Sequence, residues 1–280
     1  VSTEPARIAG VLGDPIGHSL SPVLHTAAFT ALGLHDWEYR RIRCGAEELP
    51  GQVDGSGPEW VGFSVTMPGK RAALRHASSL TGRAHAVGAA NTLLRKKDGW
   101  HADCTDVSGV SGALRAAAGF TEGSRGVVLG AGGTAAASVV AFAELGFTEA
   151  TLVVRDPDRA GETVAAAERA GLDVLVQTWA DTDFGALAAK ADALVSTVPS
   201  AAVEPIAEEL AQAHALLDVI YDPWPTPLAR VAPRLATGLD MLLHQAFEQA
   251  ELFTGQTAPR EEMRDALRAA TGGTLELPLD

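Results

Sequence analysis

Eighteen consecutive residues, GVVLGAGGTAAASVVAFA at 126–143, carry no charge, and their four glycines all fall within the first eight. A membrane span needs about this much apolar chain, but glycines bunched at one end suit a different structure. Val127-Val128-Leu129 reads as a buried strand, Gly130 to Gly133 as a tight turn, and the Ala-rich remainder as a helix. Gly130 permits the turn, Gly132 lets backbone approach a ligand, and Ala135 stands where a small residue lets helix and strand pack closely. The helix start then presents unpaired N–H groups and a positive dipole end, which suits a diphosphate.

The surrounding chain repeats this unit. GVVLG, ATLVV, LDVLV, ADALVS and HALLDV are apolar runs separated by Ala-rich helical stretches, the alternation of βαβ units around a parallel sheet. Arg155-Asp156-Pro157-Asp158-Arg159 follows the second run. There a basic residue would meet the 2′-phosphate of NADP and an acidic one the ribose hydroxyls of NAD. Arg155 and Arg159, one helical turn apart, favour NADP; Asp156 is the competing signal, and NAD the alternative cofactor.

Before this section, 7–13, 37–44 and 60–66 read as strands. Ser21 is expected to cap a helix to Leu32 with Pro22 at N1. A second helix starts near Gly69, and 91–95 with 100–103 form a hairpin around Asp98-Gly99. Helices at about 239–253 and 260–270 close the chain. At roughly 150 residues per domain, 280 residues allow two. These are a three-layer α/β/α domain over 1–105 and a Rossmann-type domain over 106–237, with the helices of 239–270 packing back on the first.

Twenty-two basic against 35 acidic residues leave a net charge of −13, which repels phosphate backbones and anionic membranes. A small molecule is the expected ligand, without nucleic acid or membrane. Cys44 and Cys104 give no metal spacing and no disulfide framework. His101, Asp103 and Cys104 match no standard zinc pattern, so no metal is expected. Only six apolar or Gly residues separate Arg7 from Asp14, too few for a secretory core, and the expected location is cytoplasmic.

Three polar clusters at strand ends carry the chemistry. Ser19 and Ser21 precede a helix N-terminus, an arrangement suited to a carboxylate. Lys70 lies just past a strand end after Thr66-Met67-Pro68-Gly69. Asn91-Thr92 and Asp103-Cys104-Thr105-Asp106 flank the hairpin.

Together these segments resemble the shikimate dehydrogenase family. The resemblance rests on Gly-x-Pro-x-x-His-Ser-x-Ser-Pro-x-x-His at 13–25, Val-Thr-Met-Pro-x-Lys at 65–70, Val-Gly-Ala-Ala-Asn-Thr at 87–92 and Thr105-Asp106. It continues through GAGGTA at 130–135, Asp218-x-x-Tyr221-x-Pro223-x-x-Thr226-Pro227-Leu228 and Gly238-x-x-Met241-Leu242-x-x-Gln245-Ala246, in order over about residues 7–255. It implies NADP-linked interconversion of 3-dehydroshikimate and shikimate, in aromatic amino acid biosynthesis, by a monomer or homodimer. By similarity Ser19 and Ser21 hold the substrate carboxylate with Tyr221 nearby, and Thr66, Lys70, Asn91, Asp106 and Gln245 surround the ring hydroxyls. Lys70 and Asp106 are the family's catalytic pair. Gly130, Ala131, Gly132, Gly133, Thr134, Ala135, Arg155, Arg159, Thr197 and Met241 are the implied cofactor contacts.

The residue types suit the reaction: ketone reduction puts negative charge on oxygen, which an ammonium stabilises and can neutralise. A lysine titrates ordinarily at about 10.4; desolvation lowers this and a carboxylate opposes the shift, so Lys70 works chiefly as an oriented charge and donor. Ser64 and Cys104 stand where many members have Asn, Thr26 replaces another Asn, and Val154 and Asp156 replace the Asn and Thr around the phosphate-binding Arg. Hence quinate or an aminated analogue, with NAD or NADP, is the alternative substrate, and a non-catalytic sensor of dinucleotide and cyclic acid is the rival from another class.

Overall fold

A computed structural model of the chain describes residues 7–279. Contacts divide the chain into two compact units, 1–105 with 246–276 and 106–245 with 277–280.

The first unit runs β1 (Arg7–Gly13), α1 (Ser21–Ala31), β2 (Trp37–Arg43), α2 (Leu49–Asp54), β3 (Trp60–Val65), α3 (Lys70–His76), β4 (Ser79–Leu80), α4 (Gly82–Val87), β5 (Thr92–Lys96) and β6 (Gly99–Asp103). Its sheet has the order β2-β1-β3-β5-β6-β4. Strands β1, β2 and β3 are parallel, whereas β5 pairs antiparallel with both β3 and β6. The β5–β6 hairpin turns at Gly99, whose φ of +120° is a glycine conformation. Alternate residues enter different cores, as a pleated strand requires. Ile8 and Leu93 join Leu12, Phe63, Trp100 and the α2–α3 residues Leu49 and Ala73. Ala9 and Leu94 join Phe29 of α1 and Phe253. Both faces are therefore covered by helices, giving three layers.

The second unit continues with α5 (Asp106–Ala116), β7 (Arg125–Leu129), α6 (Gly133–Glu144), β8 (Glu149–Val154), α7 (Gly161–Ala170), β9 (Asp173–Thr178), α8 (Phe184–Ala188), β10 (Ala193–Ser196), α9 (Ser200–Val203), α10 (Ala207–Leu210), β11 (Leu216–Asp218), α11 (Pro227–Val231) and β12 (Ala236–Thr237). All pairs are parallel, in the order β12-β11-β10-β7-β8-β9, the Rossmann arrangement. Gly126 is required in β7, because a Cβ there would strike the Phe142 ring of α6. α12 (Gly238–Thr254) and α13 (Arg260–Ala270) follow; residues of α12 up to Gln245 group with the second unit and those from Ala246 with the first. No helix among the described residues is long and apolar enough to cross a membrane, and the uncharged stretch is the strand, turn and helix of β7 and α6.

Ser21 is not the N-cap of α1. Leu20 occupies that position without a side-chain cap bond, and Ser21 donates its backbone N–H to Ser19 Oγ at 3.3 Å. Ser19 thus serves the helix start from two residues upstream. β4 and β12 escaped the sequence reading because two-residue strands have no periodicity.

Candidate functional site

In the first unit the polar segments converge through backbone pairing. Thr66 donates its N–H to Leu12 O (2.9 Å), and Asp14 to Met67 O (3.1 Å), so the loop after β1 lies against the loop after β3. Val65 donates to Asn91 O (2.6 Å) and Ala90 to Lys70 O (3.0 Å). Hence the segments that carry Ser19, Thr66 and Asn91, with Ser21 at the start of α1 and Lys70 at the start of α3, are knitted together at one end of strands β1, β3 and β5. Lys70 is the first residue of α3, after Gly69 at the N-cap.

Asn91 is buried with its amide orientation fixed. Its Oδ1 accepts from Thr105 N (2.8 Å) and Thr92 Oγ1 (2.9 Å), and its Nδ2 donates to Thr105 Oγ1 (3.0 Å). Thr105 immediately precedes Asp106, which opens α5 and is itself buried. Asp103 is bound by Arg83 through Nε and Nη2, each at 2.7 Å, and by Thr81 and the Cys104 N–H. Burial alone would raise the Asp103 carboxyl, but these donors hold it below the ordinary range. Arg83 also grips Glu248 of α12, and His101 pairs with Ser79. No cluster of three or more metal-type side chains occurs among the described residues.

A second buried chain runs beneath these loops. Tyr39 donates to Ser64 Oγ (2.7 Å), and Ser64 donates to Gln249 Oε1 (2.8 Å). Gln249 Nε2 donates to Thr92 Oγ1 (2.9 Å) and Asn91 O (3.3 Å). The Ser21 side chain lies close enough to the Tyr39 phenol to offset slightly the upward push of burial. His25 stacks on Tyr39 at 4.3 Å with Nε2 3.4 Å from Gln249 Oε1. Burial depresses the His25 imidazole to about 3 and pushes the Tyr39 phenol above its usual range.

In the second unit a cavity of about 600 Å³ opens where β10, β7, β8 and β9 end. Gly130, Ala131, Gly132, Arg155, Arg159 and Thr197 line it. Gly130 has φ +101°, and a Cβ there would come within 2.5 Å of Thr197 Oγ1, so both the turn and the close approach demand glycine. Thr197 donates its hydroxyl to Leu129 O (2.7 Å). Gly132 is the N-cap of α6, with no side chain over the helix start. Gly133 and Thr134 continue into the helix away from the cavity lining, and Ala135 is fully buried beneath it. Met241 does not line it either; its carbonyl lies 2.7 Å from where a Gly109 Cβ would stand. Asp156 also lines the cavity and is exposed, with its Oδ1 accepting the Asp158 N–H at 3.1 Å, so this rim carries one carboxylate beside Arg155 and Arg159. Tyr221 follows β11, with its phenol raised by burial and then by Asp222.

Two family models match: the shikimate dehydrogenase substrate binding domain over residues 11–93, and the shikimate 5′-dehydrogenase C-terminal domain over 238–268. A shikimate dehydrogenase (NADP(+)) of Microcystis aeruginosa is 34% identical over 93% of this chain and 96% of its own. The family is thereby decided. This chain belongs to the shikimate dehydrogenases. The crystal structure of Mycobacterium tuberculosis shikimate dehydrogenase superposes with a TM-score of 0.88 at 53% identity, covering 94% of this chain and 99% of that one. The Thermus thermophilus enzyme, solved in complex with NADP(H) and shikimate, gives 0.78 at 30% identity over 94% and 99%.

Against the shikimate dehydrogenase pattern, Ser64 keeps a hydroxyl where Asn is frequent, but that hydroxyl is spent on Tyr39 and Gln249. Cys104 is fully buried. Tyr39, Gln249 and Trp179, the last of which lines the cavity, were missed by sequence reading. Tyr39 sits in an edge strand that looks like half-buried filler, Gln249 one helical turn after Gln245, and Trp179 at the first position past β9; no local motif marks any of them.

Proposed function

We propose that this chain is an NADP-dependent oxidoreductase that reversibly reduces 3-dehydroshikimate to shikimate, with substrate bound by the first unit and dinucleotide by the second. The observation that carries the proposal is the knitting of Ser19, Ser21, Thr66, Lys70 and Asn91 into one edge of the first unit. The fit of the dinucleotide rests on the Gly130 turn, the uncovered start of α6 and the Arg155–Arg159 rim. When bound, the nicotinamide supplies or takes up hydride.

The chain's own residues do the rest. Ser19 and Ser21 donate to the substrate carboxylate. Asn91, its amide locked by Thr92 and Thr105, presents a fixed orientation to a ring hydroxyl, and Thr66 and Gln245 serve the others with Tyr221. The Lys70 ammonium stabilises the alkoxide that forms as the ketone is reduced and transfers a proton to it; in the reverse direction it receives the alcohol proton. Asp106 orients the ammonium and the reacting hydroxyl. Gly130–Gly132 and the start of α6 hold the diphosphate, Arg155 and Arg159 hold the 2′-phosphate, and Thr197 borders the remaining dinucleotide. Cys44 and Cys104 are buried and not joined in a disulfide, which is compatible with a reducing, cytoplasmic setting.

The test crosses shikimate and quinate against NADP⁺ and NAD⁺, following reduced-nicotinamide absorbance. Rapid reduction with shikimate and NADP⁺ alone is expected. Turnover confined to quinate or NAD⁺ would overturn the substrate or cofactor assignment, and binding without turnover in any pair would establish the sensor instead. Sedimentation velocity on the same preparation separates monomer from homodimer.

A further inference from the structure

We infer that Trp179 is the adenine-binding wall of the cofactor cavity and sets affinity for the adenosine end of the dinucleotide. The inference rests on the dinucleotide reading of that cavity.

The four strands whose ends form the cavity stand side by side in the order β10-β7-β8-β9, and each contributes one part of the lining. Thr197 and Val198 follow β10, the glycine turn follows β7, Arg155 and Arg159 follow β8, and Trp179 follows β9. A dinucleotide is a linear ligand: nicotinamide, ribose, diphosphate, phosphorylated ribose, adenine. Two of its parts are anchored by chemistry. The diphosphate belongs at the turn and helix start after β7, and the 2′-phosphate belongs at the arginines after β8. These anchors set a direction across the sheet, and the group beyond the phosphorylated ribose falls toward β9. Trp179 is the only aromatic residue lining the cavity among the described residues.

Its setting suits a stacking platform. The indole packs on Phe184 at 4.8 Å and 56°. Phe184 is buried in the core, whereas Trp179 is only partly covered. One side of the ring is thus held by protein and the residue still faces open cavity. A purine has a π-face and no charge, so it is served by an aromatic surface where the neighbouring arginines serve phosphate. A purely architectural Trp179 would predict effects on stability alone.

The test uses adenosine 2′,5′-bisphosphate, which carries the adenine and the 2′-phosphate but no nicotinamide to accept indole emission by long-range transfer. Wild-type protein is expected to show quenched tryptophan emission on binding it, and Trp179→Phe to bind it nearly as well with the quenching lost. In Trp179→Leu, which keeps an apolar contact with Phe184, affinity for the bisphosphate and for NADPH should fall about tenfold. The KM for shikimate should stay unchanged. Equal quenching in wild type and Trp179→Phe would overturn the assignment, as would unaltered affinity in a folded Trp179→Leu. Should Trp179→Leu fail to fold, the Trp179→Phe quenching experiment decides alone. A wild-type protein that does not bind the bisphosphate at all would overturn the cofactor reading of the cavity and this inference with it, a result distinct from a Trp179-specific failure.

Discussion

The two ligand-binding edges are built on opposite plans. In the first unit the functional groups are side chains held by other buried side chains: Asn91 by Thr92 and Thr105, Ser64 by Tyr39 and Gln249, Asp103 by Arg83. In the second the binding surface is mostly backbone, a glycine turn and an open helix start, with its two arginines exposed. Buried polar groups are costly when a partner is lost, whereas exposed ones are exchanged for water at little expense. Damage to the first edge should therefore appear in turnover and in stability together, and damage to the second in cofactor affinity alone.

The sharpest test of this contrast is Lys70→Ala. If Lys70 stabilises and protonates the alkoxide as proposed, its removal should lower kcat about 10²- to 10⁴-fold with KM for shikimate little changed. Steady-state kinetics would sink the assignment by showing an unchanged kcat. Next in size, Arg83→Met leaves Asp103 buried without its cation and should destabilise the fold by about 3–5 kcal/mol, read by urea unfolding at neutral pH.

The same unfolding experiment has a pH signature. Asp103 titrates lower in the folded chain than unfolded, so its contribution is present above the ordinary carboxyl range and lost as pH falls through the folded value. His25, lowered from 6.5 to about 3, weakens the fold earlier, because between those values the unfolded chain binds a proton that the folded chain refuses. Wild-type stability should thus decline on acidification from pH 6.5 downward. Substituting His25→Phe should flatten that first decline, and an unaltered slope would remove His25 as its source.

A smaller effect belongs to Gln249→Leu, which strands the Ser64 hydroxyl and the Thr92–Asn91 pair; about 1–3 kcal/mol of stability and a raised KM for shikimate are expected. An effect of similar size, confined to binding, concerns the second edge. Arg155→Ala with Arg159→Ala should weaken NADPH binding about 10- to 100-fold, from lost charge-assisted bonds of ~1.5–3 kcal/mol, yet leave NADH affinity and the melting temperature where they were. A drop in melting temperature without ligand would break the contrast between the two edges.

The second edge was the more legible of the two in the sequence because it is local. Strand, glycines, helix and arginines lie within some 35 residues, and Gly126 and Gly130 answer demands of close packing and turn geometry. The clusters of the first edge were also visible as motifs, but what holds them was not. Ser64 and Gln249 are 185 positions apart, and Tyr39 meets Ser64 from a neighbouring part of the sheet; spacing carries no trace of either pairing. The Ser21 cap failed for a related reason. A hydroxyl beside a helix start is the common signal for a cap, and only backbone geometry reveals that Ser19, two residues earlier, is the one that accepts. Asp156 illustrates a third limit: the sequence sets it beside Arg155 as a competing charge, and the fold keeps it in the cavity lining with one oxygen bound to the Asp158 N–H, so the competition is still present.

The shared proton wiring of Tyr39, Ser64 and Gln249 also constrains how this enzyme can be diversified. Any residue at position 64 has to accept from Tyr39 and donate to Gln249, which a hydroxyl or a side-chain amide can do and an apolar side chain cannot. A library that varies position 64 alone should therefore return only side chains with both capacities, whereas one that recombines all three positions also samples sets in which the wiring is replaced as a whole. Joint exchange of the three is the wider route to new substrate preferences at this edge.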